Sequence, residues 1–209
     1  SAYAQTHGNK AFTYHSYFLR STDDGRTWFR HSIIAEKHNE TAVYQLNDGT
    51  WLAAARVDHM DIFKSTDNGK TWEQGTSTTR AQHPGHFLQL SDGRLLLTHG
   101  DRRAGQEGVA VRISGTPADS WPTFSIPIAR ALNTDCGYPS SVQLPDGRVL
   151  TAFYAKGSPT HKNYHMGVVL WDVEALSGHG ADRDDLRIER RCQCGQVFVG
   201  VGEVHLVGD

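Results

Sequence analysis

The stretch Ser65-Thr66-Asp67-Asn68-Gly69-Lys70-Thr71-Trp72 decides the fold, because it repeats an octapeptide that occurs earlier in the chain. The first copy, Ser21-Thr22-Asp23-Asp24-Gly25-Arg26-Thr27-Trp28, begins 44 positions before it. Near-identical segments at this distance indicate a repeat protein. In each copy Asp and Asn can bond to their own backbone, Gly supplies the positive φ of a tight turn, and Trp can pack between neighbouring repeats. We therefore predict a structural β-hairpin turn at each octapeptide.

A second repeated phrase supports the same period. Gln45-Leu46-Asn47-Asp48-Gly49 recurs as Gln89-Leu90-Ser91-Asp92-Gly93 and as Gln143-Leu144-Pro145-Asp146-Gly147, at separations of 44 and 54. An Asp-Gly pair between apolar, strand-like runs is a strong signal for a tight hairpin. The predicted hairpins pair residues 41–46 with 50–55, 87–90 with 94–98, and 140–144 with 148–154. A third strand is predicted at 62–65, 109–114 and 166–171.

Each repeat therefore predicts a four-stranded antiparallel sheet of roughly 45 residues, the blade of an all-β propeller. The fourth strand is clear after Trp72 and degenerate at 115–121, and the segment before residue 41 supplies half a blade from strands 17–20 and 29–34. About three and a half blades occupy residues 1–176, while 177–209 form an irregular tail or a closing strand. We expect the back half of a longer propeller, or a half that associates with a partner to close, because open blade edges are unfavourable.

Composition excludes several classes of function. The net charge is −2 and the 21 basic residues are scattered over the 209, so nucleic acid is not an expected partner. No apolar run approaches the ~20 residues of a membrane span. The three cysteines, Cys136, Cys192 and Cys194, are interpreted as ordinary thiols, and the 12 histidines form no ligand cluster, so neither a metal nor another cofactor is expected.

Four side chains of chemical interest fall at one end of the predicted blades. Glu40 precedes the first hairpin and Arg56 ends it; Arg102 or the adjacent Arg103 ends the second; Tyr138 begins the third. In an antiparallel unit the start of strand one and the end of strand two lie at the same end. These residues can therefore face a common axis, whereas the repeated turns lie at the other end.

The ordered series of motifs resembles the sialidase superfamily. The octapeptides are similar to its Asp-boxes, and Glu40 with Arg56 sixteen positions later resembles its pairing of a buried Glu with an arginine of the carboxylate-binding triad. Leu97-Thr98-His99-Gly100-Asp101-Arg102 resembles the segment with the last arginine of that triad. Cys136-Gly137-Tyr138-Pro139-Ser140-Ser141 resembles the segment with the tyrosine nucleophile. The match runs from about residue 17 to 171.

This resemblance implies a six-bladed propeller and a retaining exo-α-sialidase that acts on sialylated or other anionic glycans, with a secreted or periplasmic location favoured. Arg56 and Arg102 would hold the sugar carboxylate, since planar guanidiniums bind carboxylates through paired hydrogen bonds. Tyr138 would attack and Glu40 would activate it, because a free phenol with a pKa near ~10 is a weak nucleophile without a base. A neutral tyrosine avoids repulsion by the substrate carboxylate.

Two family elements have no counterpart in this sequence: the first arginine of the triad and the acid/base aspartate, both expected upstream in early blades. Pro139 also stands where many sialidases have Ser. Two alternatives stay open. One is a non-catalytic propeller that binds anionic glycans. The other is a polysaccharide lyase or a different glycosidase, in which Tyr or His would abstract a proton from a uronic acid. In that case His83, His86 or His99 would matter more than Glu40.

Overall fold

The computed structural model describes residues 1–8, 11–115, 121–158, 161–177 and 201–204. The chain divides into two compact units, Ser1–Phe87 and Leu88–Asp209. Four antiparallel sheets and one short helix make up the described part. Most of the predicted tail, 177–209, lies outside the described residues. Among the described residues, no helix combines the length and apolar character needed to cross a bilayer.

The strands follow one another within each sheet, so every sheet is an up-and-down meander, as in a propeller blade. The first sheet contains β1 (Ala2–Gly8), β2 (Ala11–Arg20) and β3 (Phe29–Glu36). The second contains β4 (Thr41–Gln45), β5 (Trp51–Arg56), β6 (Met60–Ser65) and β7 (Glu73–Ser77). The third contains β8 (Gln82–Gln89), β9 (Leu95–Asp101), β10 (Gly108–Ile113) and β11 (Ile126–Arg130), and the fourth contains β12 (Cys136–Gln143), β13 (Val149–Lys156), β14 (Tyr164–Trp171) and β15 (Val201–Val204). Helix α1 (Val173–Ser177) follows β14.

Two details differ from the sequence prediction. The first sheet has three strands instead of two, because β1 pairs with residues 11–17 of β2. The outer strand of the third sheet is β11, which begins at Ile126, later than the predicted 115–121. Neither β1 nor β11 follows a repeated turn motif, so the sequence carries no local signal for its position.

The three Asp-Gly hairpin turns have one geometry. At the first, the Gly49 N–H donates to the Leu46 carbonyl (2.9 Å) and the Thr50 N–H donates to Asp48 Oδ1 (2.9 Å). Gly49, Gly93 and Gly147 have φ of 88°, 90° and 89°. Side chains rarely adopt this φ, which is why glycine recurs there. The three predicted turns are therefore confirmed, while β8 and β12 begin earlier than predicted, at Gln82 and Cys136.

The octapeptide turns also match each other. In the second copy, Asp67 Oδ2 accepts from the Thr71 hydroxyl (2.6 Å) and Oδ1 accepts from the Thr71 N–H (3.0 Å). Hydrogen bonds from the same positions in the first copy, led by the Thr27 hydroxyl, lower the pKa of Asp23 to about 2. All of these contacts are local, so the boxes are structural turns.

The tryptophans of the two boxes differ in their packing. Trp72 packs on Phe18 of the first sheet (ring centroids 5.4 Å apart), and its Nε1–H donates to Ser32 Oγ (3.0 Å). Phe18 is also so close to Gly69 that a Cβ there would lie 2.3 Å from the ring. Trp28 instead is 62% exposed and donates to its own turn, at the Gly25 carbonyl (2.9 Å). Trp72 thus joins two neighbouring sheets of the first unit.

Each unit has its own apolar core. In the first unit Phe18, Ile34, Ala53, Ala55 and Phe63 are buried between the first and second sheets. The second unit has a larger core from the third and fourth sheets, whose members include Leu96, Val109, Val111, Phe153, Val169 and Trp171. In the second unit the core residues alternate along β10, β13 and β14, as expected for strands with one face on the core.

Candidate functional site

The first unit brings Glu40 and Arg56 together. Their backbones continue the β4–β5 ladder: the Arg56 N–H donates to the Glu40 carbonyl (3.0 Å), and the Asn39 N–H donates to the Arg56 carbonyl (2.9 Å). Arg56 Nη1 donates to Glu40 Oε2 in an ion pair, and the two side chains are only 20% and 29% exposed. The pair therefore lies at the predicted end of the blade, half-buried and held by backbone pairing on both sides.

The structure separates the roles of Arg102 and Arg103. Arg103 donates to Asp101 through Nε (2.9 Å to Oδ1) and Nη2 (2.5 Å to Oδ2), so its guanidinium serves a bidentate ion pair. Arg102 is half-buried, and its buried Nε has no hydrogen-bond partner among the described residues. Its charge acts on Asp135 and Tyr154 of the fourth sheet. Of the two arginines, Arg103 is thus the one held by Asp101, which favours Arg102 as the candidate for anion binding.

Tyr138 lies on a β-bulge. Between Gly137, opposite Tyr154, and Ser140, opposite Ala152, β12 carries one residue more than β13. Tyr138 has a φ of 52°, a left-handed value that costs a non-glycine residue about 1–3 kcal/mol, and its side chain is 46% exposed. Such strained conformations cluster at functional sites. The bulge therefore holds a large phenol at the surface at the start of the strand.

The surroundings of Tyr138 were not predicted from the sequence. The Tyr154 hydroxyl donates to Asp135 Oδ1 (2.6 Å), and the Tyr164 hydroxyl donates to the other oxygen, Oδ2. The Tyr154 ring centroid lies 5.7 Å from that of Tyr138. These phenols, Tyr154 first, lower the pKa of Asp135, while burial and the bond to Asp135 raise the pKa of Tyr154 to about 12. Tyr154 and Tyr164 therefore stay protonated and serve as hydrogen-bond donors.

Register could have revealed this cluster. Tyr154 lies two positions before the end of β13, and Tyr164 is the first residue of β14, so both are near Asp135 at the start of β12. Finding them required the full pairing of three strands, which no short motif contains.

The histidines of the lyase alternative are mostly enclosed. His99 is fully buried, with Nε2 at 2.9 Å from Ser125 Oγ and Nδ1 at 3.0 Å from the Gly100 carbonyl, and burial lowers its pKa to about 4. A side chain in this position does not reach a substrate. His83 is 8% exposed, and His86 is half-buried with a pKa that burial lowers. Of the three, His86 is the one that retains appreciable exposure.

Comparison with known proteins identifies the family. The model of the BNR repeat-like domain matches residues 2–151. The chain belongs to the BNR repeat-like domain family. The prediction of an Asp-box repeat protein with a sialidase-like propeller is therefore confirmed. None of the curated proteins matches the sequence significantly.

Solved structures support the same fold. A protein of unknown function from Dyadobacter fermentans is 31% identical, with a TM-score of 0.63 over 76% of this chain and 46% of that one. The GH93 α-L-arabinofuranosidase of Fusarium graminearum is 16% identical, with a TM-score of 0.53 over 77% of this chain and 54% of that one. A variant of the NanB sialidase from Streptococcus pneumoniae is 20% identical, with a TM-score of 0.52 over 78% of this chain and 27% of that one. This BNR repeat-like chain has the β-propeller fold of glycoside hydrolases and spans about half the length of the first two.

Proposed function

We propose that this BNR repeat-like chain forms the nucleophile-bearing and carboxylate-binding part of an exo-α-sialidase that releases terminal sialic acid from glycans. The observation that carries the proposal is Tyr138, an exposed phenol on a left-handed bulge. The NanB sialidase has the same fold, which supports the proposal at the level of architecture.

The chemistry assigns one role to each residue. The Tyr138 oxygen attacks the anomeric carbon, and the bond from that carbon to the aglycone oxygen breaks. Glu40 takes the phenol proton, since a phenol with a pKa near ~10 needs a base. This role of Glu40 stays a prediction, as does that of the upstream aspartate that would protonate the aglycone.

Arg56 and Arg102 favour an acidic sugar over a neutral one. A guanidinium can bind a carboxylate through two parallel hydrogen bonds, and a neutral furanose offers no such partner. This argument favours sialic acid over the arabinose that the GH93 relative's name indicates. The Glu40 carboxylate accepts from Arg56, so in this proposal the substrate carboxylate binds beside Glu40 at the same guanidinium.

The test is hydrolysis of a fluorogenic sialoside by the full-length protein. We expect turnover in the wild type and a loss on the order of a thousandfold or more in Tyr138→Phe, because the nucleophile is removed. Tyr3→Phe is the matched control, since Tyr3 is 49% exposed in the other unit. Equal activity in wild type and Tyr138→Phe would contradict the assignment of the nucleophile.

The same samples separate the rival functions. Unsaturated uronates that absorb in the ultraviolet, formed from an acidic polysaccharide, would indicate a lyase and overturn the proposal. Binding of sialosides without any turnover in the full-length protein would indicate a glycan-binding propeller.

A further inference from the structure

Asp61 of β6, in the same sheet as the Glu40–Arg56 pair, lies between two histidines. His38 Nε2 is 2.9 Å from Asp61 Oδ2, and His59 Nε2 is 3.0 Å from Asp61 Oδ1. The Ser77 hydroxyl donates to the same Oδ1 (2.5 Å). The Asp61 side chain is 11% exposed, so it is a buried carboxylate with three polar partners. Buried charges persist in proteins when they are paired and hydrogen-bonded in this way.

Each histidine ring is bound at both nitrogens to an acceptor. His38 Nδ1 lies 2.6 Å from the Glu36 carbonyl, and His59 Nδ1 lies 2.6 Å from Asp58 Oδ1. The two acceptors of the His59 ring are carboxylate oxygens, which only accept when ionised, so both nitrogens of that ring donate. The His59 ring is therefore doubly protonated and cationic in this arrangement.

The two histidines belong to the two backbone segments that present the candidate site. His38 lies two residues before Glu40, in the segment that leads into β4. His59 lies three residues after Arg56, in the turn between β5 and β6, where the Val57 N–H donates to the His59 carbonyl (2.8 Å). One carboxylate on the third strand of the sheet thus holds both segments.

We propose that Asp61 is a positioning residue for the Glu40–Arg56 pair, acting through His38 and His59. The inference rests on the proposed function for its consequence in binding, while its structural part is independent. When His59 loses a proton, one of its two contacts has no donor, and the segment that follows Arg56 is released. Presentation of the Glu40–Arg56 pair is therefore best at acidic to neutral pH and weakens as pH rises through the raised pKa of His59.

The groups around the two rings agree with this direction. Among the described contacts, the charged and titratable groups that face them are Asp58 and Asp61, with Arg80 reached through Asp58 (3.2 Å). Burial lowers the pKa of His59, but its bonds to Asp58 and Asp61 outweigh burial and raise the pKa above 6.5. Because the folded value is raised, the stabilisation is complete below 6.5 and is lost as pH rises through the folded pKa.

Amide hydrogen exchange tests the structural part without any ligand. In Asp61→Asn we expect the amides of Asn39 and Arg56, which close the ladder beside the site, to exchange on the order of tenfold faster than in wild type. The Leu46 amide, bonded to the Thr50 carbonyl (2.8 Å) at the other end of the same hairpin, is the internal control and keeps its rate. Unchanged exchange at Asn39 and Arg56, or equal acceleration at Leu46, would overturn the proposal.

Asp58→Asn is the matched control variant. Asp58 contacts His59 and Arg80 at the surface, with a side chain 58% exposed, and the described structure places His38 on Asp61 instead. We expect Asp58→Asn to lower the His59 midpoint, observed by proton NMR, and to leave the Asn39 amide protected. Acceleration at Asn39 equal to that in Asp61→Asn would contradict a role specific to Asp61.

Titration calorimetry with sialyllactose tests the consequence in binding. Wild type should lose on the order of tenfold in affinity from pH 6 to pH 8.5, and Asp61→Asn should be weak at both. A pH-independent wild-type affinity would contradict the binding consequence. If the wild type does not bind sialyllactose at all, the proposed function fails, while the exchange experiment still decides the role of Asp61.

Discussion

One position in the blade carries different chemistry in the second and fourth sheets. Glu40 lies opposite Arg56 just before β4, and Asp135 lies opposite Lys156 just before β12, where the Lys156 N–H donates to the Asp135 carbonyl (2.8 Å). The Glu40 carboxylate forms an ion pair with the residue across the ladder. The Asp135 carboxylate instead accepts from two phenols, and Lys156 Nζ lies over the Tyr164 ring, 5.3 Å from its centroid.

The repeat places a carboxylate just before β4 and just before β12. The residues on the neighbouring strands determine which groups that carboxylate bonds to. In the second sheet the carboxylate pairs with the guanidinium of Arg56. In the fourth sheet the carboxylate accepts from Tyr154 and Tyr164, and the Tyr154 ring lies beside that of Tyr138. We therefore expect the first position to govern anion binding and the second to govern the placement of tyrosines.

The largest expected effect comes from Arg56→Ala. The substitution removes donors for the substrate carboxylate and takes the ion-pair partner from a half-buried Glu40, so affinity for sialyllactose should fall on the order of a hundredfold. Lys156→Ala, at the equivalent position, should change it less than about threefold. Titration calorimetry measures the affinity of both variants for sialyllactose. Equal losses of affinity would contradict the different roles assigned to the two positions.

Asp135→Asn should alter tyrosine ionisation. The pKa of Tyr154 is raised to about 12 by burial and by the bond to Asp135, so removal of the carboxylate charge should move it toward 10. A raised folded value means that this stabilisation is complete below 10 and lost as pH rises toward 12. Tyrosinate absorbance during an alkaline titration follows the change, with Tyr154→Phe to assign it. An unchanged pKa of Tyr154 in Asp135→Asn would show that Asp135 does not raise the pKa of this phenol.

At acidic pH, Asp135 itself gives a smaller effect on stability, and its pKa is shifted in the opposite direction to that of Tyr154. Hydrogen bonds from Tyr154 and Tyr164 lower the pKa of Asp135 below 3.8, so its stabilisation is present above 3.8 and lost as pH falls through the folded value. The melting temperature of wild type should exceed that of Asp135→Asn at pH 7, and the difference should shrink as pH falls below 3.8. A constant difference across that range would contradict the assignment.

Tyr164→Phe should have the smallest effect. Tyr164 is 60% exposed and supplies one of the two phenol donors, so its loss should lower the melting temperature by less than about 2 °C. A larger drop would mean that the two phenols act as one network, which a double variant with Tyr154→Phe would measure.

Much of the fold was predictable because its signals are local. Each Asp-Gly turn and each Asp-box closes on its own backbone, so the repeated phrases located the hairpins and the blade period. β1 and β11 were missed or misplaced because outer strands without a repeated turn depend on pairing with a neighbour. The packing of Trp72, in contrast to Trp28, likewise depends on the adjacent sheet.

The candidate site was predictable only in part. Glu40 and Arg56 were proposed as a pair from their spacing across one hairpin, and the structure brings them together. The partners of Asp61 and Asp135 come from two or three strands each, and their sequence separations form no motif. A charged residue inside the apolar run of β6 was the available signal for Asp61, since buried charges need partners.

The most direct test of the central claim is the site of covalent capture by a fluorinated sialosyl inactivator, read by mass spectrometry of peptides from the full-length protein. The account predicts one sialosyl adduct, on Tyr138, that is absent in Tyr138→Phe. An adduct on any other residue, or none under conditions where sialosides are hydrolysed, would contradict it.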